Sequence, residues 1–109
     1  MTKVIISKSP DGAYRQLTCN GHAGFAEAGN DIVCAAVSIL VINTLNSLEE
    51  LAGESFETFS DESAGFINCD FTHPLQDKSI FLLDSMVYGL KNLEKEYGKK
   101  YLQVKFKEV

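Results

Sequence analysis

The chain has 109 residues, 45% of them hydrophobic and 23% charged, the proportions of one soluble globular domain over 1–109; a disordered, collagen-like or low-complexity chain is excluded. Ten Lys and Arg stand against 15 Asp and Glu, a net charge of -5, which repels a phosphate backbone or an anionic membrane and speaks against either as a direct partner. A basic peptide is the better electrostatic match.

Two runs rich in Val, Ile, Leu, Thr and Tyr, Lys3 to Lys8 and Tyr14 to Asn20, flank Ser9-Pro10-Asp11-Gly12. They predict a hairpin, because Pro presets the first turn φ and Gly accepts a positive one. The following GHAGFAEAGN, residues 21–30, has no sustained period and reads as a loop with unusual backbone freedom. Asn30 or Asp31 can cap a helix running from about Ile32 to Leu51, with Gly53 as its stop. The first half of that helix, IVCAAVSILVI, is apolar on nearly every side and demands cover from the sheet and from something else, such as a second subunit. The apolar run from Ile32 to Ile42 is broken by Ser38 and is too short to span a bilayer.

Glu54 to Ser60 and Gly65 to Phe71 predict a second hairpin around Asp61, Glu62 and Ser63. From Gln76 to Tyr97, Ile80, Leu83, Val87, Leu90 and Leu93 recur at three and four, an amphipathic helix stopped by Gly98. The tail alternates Leu102, Val104 and Phe106 with Gln103, Lys105 and Lys107, a strand with one wet face. The expected fold class is α+β: a single domain of order β-β-α-β-β-α-β, with two helices on a mixed or antiparallel sheet.

Three cysteines at wide spacings, Cys19, Cys34 and Cys69, do not form the framework of a disulfide-rich secreted protein, and the early turn leaves no room for a signal-peptide apolar region. A cytoplasmic location with reduced thiols is expected.

The chemistry concentrates between Gly21 and Ser38. With Asp31 as N-cap, Cys34 occupies the third helical position, where unpaired N–H groups and the helix dipole favour a thiolate and can stabilise an oxyanion. His22, in the glycine loop with Gly21, Ala23, Gly24 and Gly29, can supply an imidazole that exchanges a proton with the sulfur and the leaving amine. Ser38 lies one turn below Cys34 on the same face. Asp31 can orient His22 or serve only as a cap. Set against this, a lone Cys on an apolar helix is usually a small hydrophobe, and a mid-helix Ser usually bonds back to a carbonyl. Cys19 and Cys69 read as core thiols, and His73 before Pro74 as a turn residue. The spacing of Cys19, His22 and Cys34 lacks a fourth ligand nearby, so no metal site and no cofactor are expected.

Gly21, His22, Ala23, Gly29 and Asp31 through Ser38 resemble the signature of the ribosomal-processing cysteine proteases, and length and element order agree over essentially the whole chain, with Asn46, Leu48 and Leu51 on the first helix. The resemblance implies a cysteine endopeptidase in which His22 and Cys34 form the catalytic pair and Asp31 and Ser38 support it. It implies a precursor substrate as well: a short N-terminal extension on the large-subunit ribosomal protein numbered twenty-seven. Homodimers are the implied assembly. A loop carrying His22 can open and close over a peptide. Two other classes compete: a non-catalytic module gripping a basic ribosomal protein or assembly factor, and a redox-sensing pair of Cys34 with Cys19.

Overall fold

In the computed structural model the described residues are 1–21, 28–61 and 63–109, with side chains in the first helix described from Ile32 onward. The elements are β1 (Thr2–Lys8), β2 (Tyr14–Asn20), α1 (Ala28–Glu50), β3 (Glu57–Asp61), β4 (Phe66–Asp70), α2 (Asp77–Tyr97) and β5 (Leu102–Glu108). This is the expected order.

At the first turn the Gly12 N–H donates to the Ser9 carbonyl at 2.8 Å, and Gly12 takes φ +87. Glycine tolerates that value without strain. The hairpin register sets Val4 opposite Cys19 and Ile6 opposite Leu17, so these four side chains share the face that the helices cover. The sheet order is β3-β4-β2-β1-β5, with β1 and β5 parallel and every other pair antiparallel. The sheet is therefore mixed. The parallel pair follows from α2, which carries the chain from β4 across the sheet to its far edge, as a parallel neighbour requires.

Both helices pack on one side of the sheet. On α1, Val33, Val37, Val41 and Leu48 recur at helical spacing and are at most 1% exposed, forming the face set against the sheet. Leu40 belongs to a second face, turned towards α2, where a Cβ added to Gly89 would lie 3.2 Å from its Cδ1. A third face, with Ile32 at 56% and Ile39 at 69% exposure, has no cover among the described residues. The all-round apolar character of this helix thus answers two neighbours, the sheet and α2, and leaves one apolar face exposed. The helix spans 23 residues, well beyond the run from Ile32 to Ile42, and Ile32–Glu50 is long and apolar enough by length and composition to cross a membrane. In this fold the same segment is the core helix.

Three local expectations change. The N-terminus of α1 lies at Ala28, so Gly29 and Asn30 stand in the helix and not in a loop. The buried stripe of α2 centres on Leu83, Met86 and Leu90 and includes the polar ends Ser79 and Glu94, while Ile80 is 36% exposed. Those polar ends are buried because each has a partner: the Ser79 hydroxyl donates to Glu54 Oε1 at 2.7 Å, and Glu94 Oε2 accepts the Val104 N–H at 2.7 Å. On β5, Leu102 and Val104 are buried but Phe106 is half exposed, since this edge strand is flanked on one side only.

Candidate active site

Two helices do not cover five strands. On the helix side of β3 and β4 a trough remains open along the flank of α1, a cavity of about 400 Å³. Its helical wall is one stripe at three- and four-residue spacing, Cys34, Ser38, Ile42, Leu45 and Glu49, and its floor includes Ile67, Thr58 and Ser60. Phe56, tilted against Phe71 at 5.9 Å between ring centroids, also lines it.

Cys34 stands at one end, half-buried. Its Sγ lies 3.2 Å from Thr2 Oγ1, within hydrogen-bonding distance. Thr2 reaches it because β1 pairs with β2 as far as Lys3 and Asn20, which brings the start of β1 alongside Gly21. A Cβ added to Gly21 would sit 3.6 Å from the sulfur, so the bare glycine keeps this side of the thiol open. The Gly21 N–H donates to the Gly65 carbonyl at 2.7 Å, which ties the end of β2 to the β3–β4 turn and occupies that amide.

The other two thiols are set apart by their surroundings. Cys19 is 5% exposed, and burial, followed by the nearby Cys34, pushes its pKa up to about 11. Cys69 is fully buried, and burial with the Asp70 charge pushes it up to about 12. Both stay protonated at neutral pH and behave as small core residues, as expected from the sequence. Cys19 also borders the trough, but Cys34 is the cysteine that lines it while partly exposed.

Ser38 is exposed one turn along, on the same wall as Cys34. His22, Ala23 and Gly24 lie outside the described residues, as does the side chain of Asp31. With α1 beginning at Ala28, Cys34 is its seventh residue and stands in the second turn, one turn deeper than an Asp31 cap implies. The dipole contribution at the sulfur is correspondingly smaller, because it falls off within the first turn. Thr2 was not legible beforehand: it is 32 residues from Cys34, and only the strand register joins them.

The description "Cysteine protease Prp" belongs to a family model that matches residues 1–103. The chain belongs to this family. It is a cysteine peptidase. Among its Prp relatives, the ribosomal processing cysteine protease Prp of Bacillus subtilis is 33% identical over 103 residues, covering 89% of this chain and 90% of the relative. The protein of the same name from Staphylococcus aureus is 28% identical, covering 90% and 92%. A crystal structure of the S. aureus ribosomal processing protease Prp in complex with a substrate peptide superposes with a TM-score of 0.91 at 25% identity, covering 98% of this chain and all of that one. A Streptococcus mutans protein superposes with a TM-score of 0.89 at 29% identity, covering 100% and 96%. The Prp fold of five mixed strands and two helices is thus shared across the whole chain.

Proposed function

We propose that this Prp family member is a cytoplasmic processing endopeptidase that removes a short N-terminal extension from the large-subunit ribosomal protein numbered twenty-seven. Cys34 is the nucleophile. Its thiolate attacks the scissile carbonyl carbon, and the tetrahedral intermediate collapses as His22 gives a proton to the departing amine. A water molecule, deprotonated by the same imidazole, then attacks the thioester, releasing the acid and restoring the thiol. Asp31 and Ser38 support the pair, and the stretch containing Gly21, Ala23, Gly24 and Gly29 admits the peptide. The single observation that carries the reading is that Cys34 is half-buried where it lines the trough, whereas Cys19, which also borders it, is only 5% exposed and Cys69 is fully buried.

The substrate assignment draws on the names of the curated relatives, on the structure of a relative with a substrate peptide, and on charge: a chain of net charge -5 attracts a basic ribosomal protein. Neither nucleic acid nor a membrane is needed. The working unit is a homodimer, a reading supported by Ile32 and Ile39 on the uncovered face of α1. Incubation with a peptide spanning the extension junction, followed by mass spectrometry, tests the proposal. The unsubstituted protein cuts at one bond, while Cys34→Ala and His22→Ala do not. Cutting by either variant removes the mechanism, and no cutting by the unsubstituted protein removes the substrate.

A further inference from the structure

The trough has two ends, and only one of them holds the thiol. Following the stripe from Cys34 through Ser38, Ile42 and Leu45 leads to Glu49, which lines the same cavity. Fifteen residues separate Cys34 from Glu49, about 22 Å along an α-helix. An extended peptide covers that distance in roughly six or seven residues. Between the ends the lining is largely apolar, with Ile42, Leu45, Phe56 and Ile67.

Two carboxylates border this space, and they differ in what they already do. Asp61 accepts the Ser63 hydroxyl at 2.7 Å and the Ser63 N–H at 3.1 Å, so it serves as the cap of its own turn. Glu49 is exposed and has no ion-pair partner among the described residues. Glu50, its neighbour in sequence, does not line the trough.

We infer that Glu49 is a specificity residue for the peptide: it receives a cationic group, a lysine or arginine side chain or a free amino terminus, six or seven residues from the scissile bond. The inference rests on the peptide-cleaving function proposed above and adds a distance rule to it. The apolar stretch between the two ends accepts the intervening side chains, and the terminal charge pair sets the register, since a peptide slipped by one residue moves its cation out of reach of the carboxylate. The pair is exposed, so its effect is modest and falls with added salt.

The test uses a fluorescent junction peptide stripped of its own charged side chains, into which a single lysine is placed one position at a time on either side of the scissile bond. Binding to Cys34→Ala is read by anisotropy at low salt. Affinity should peak, about three- to fivefold above the lysine-free peptide, at six or seven residues from the scissile bond. The peak should vanish in Cys34→Ala carrying Glu49→Gln, and with Glu49→Lys it should be replaced by a preference for glutamate at the same position. A flat profile, absence of binding included, overturns the inference, as does a lysine peak that survives Glu49→Gln. Cleavage of the same peptides by the unsubstituted enzyme is scored separately. Cutting with no lysine preference removes only the role of Glu49, whereas a Glu49-dependent preference without cutting keeps that role and removes the protease reading of this substrate.

Discussion

The Oγ1 of Thr2 lies 3.2 Å from the Sγ of Cys34, joining the first residue of the first strand to the thiol that lines the trough. Thr2 is 1% exposed, and its N–H donates to the Tyr101 carbonyl at 2.9 Å, so its backbone is pinned by the start of β5. The hydroxyl is therefore delivered to the sulfur by a rigid strand and not by a wandering side chain. A hydroxyl presented by a regular strand holds its partner more precisely than one presented by a loop.

Thr2→Val keeps the volume and removes the hydroxyl. The loss of one hydrogen bond to a reacting group, about 1–2 kcal/mol, lowers kcat/KM for the junction peptide by roughly 5- to 30-fold. Thr2→Ser restores most of it. A valine variant that cuts at the unsubstituted rate assigns Thr2 to packing only.

Selective alkylation follows from the three thiol environments. Brief treatment of the folded protein with iodoacetamide at neutral pH should label Cys34 alone, because Cys19 and Cys69 are buried and held protonated with pKa values near 11 and 12. Cys34→Ala should take up no label until it is unfolded. Peptide mapping by mass spectrometry reads the result, and label on Cys19 at the same rate as on Cys34 contradicts it.

How much of this was legible in the sequence depends on the range of each interaction. The first hairpin is set by Pro10 and Gly12 within its own turn, and the position of α2 by its repeat and Gly98, which takes φ +94 where the helix stops. Both were readable. The start of α1 was not, because Asn30 and Asp31 have strong cap chemistry while Ala26, Glu27 and Ala28 favour continuing the helix backwards, and local preference does not rank the two. Cys34 and Ser38 were found from their spacing on one helix. Thr2 and Glu49 were not: the first needs the strand register, and the second needs to be seen facing the uncovered half of the sheet. His22, the partner expected for Cys34, rests on sequence alone.

Glu54 ties two elements together from outside either one. It is 7% exposed, and its Oε1 accepts the Gln76 N–H at 3.1 Å and the Ser79 hydroxyl at 2.7 Å. Gln76 is the N-cap of α2 and makes no side-chain cap of its own, so a carboxylate just beyond α1 performs that office. Burial disfavours its charge, yet these donors and His73 hold its pKa below the usual glutamate value. Glu54→Ala leaves the Ser79 hydroxyl, itself fully buried, without its acceptor and should cost about 2–4 kcal/mol, read as a lower urea midpoint. Glu54→Gln, which retains an oxygen, should cost less. Equal midpoints for the alanine variant and the unsubstituted protein refute the cap.

His73 makes stability depend on pH in a direction that can be worked out. Its Nδ1 lies 3.0 Å from the Pro74 carbonyl and its Nε2 2.7 Å from the Ser55 carbonyl. Two acceptors call for two donors, which only the imidazolium has. These contacts, Pro74 first and then Ser55, raise its pKa above the ordinary histidine value against a small opposing effect of burial, and Glu54 at 3.8 Å adds to the rise. A group whose folded pKa exceeds its unfolded one contributes stability that is fully present below the unfolded value and is lost as pH rises through the folded value. The melting temperature of the unsubstituted protein should therefore fall, relative to that of His73→Gln, as pH is raised from about 6. The two curves should run parallel at lower pH, where the imidazole is charged in both the folded and unfolded chains. A difference that grows on acidification instead would mean that His73 is held neutral in the native protein, with one ring nitrogen making no hydrogen bond to its carbonyl.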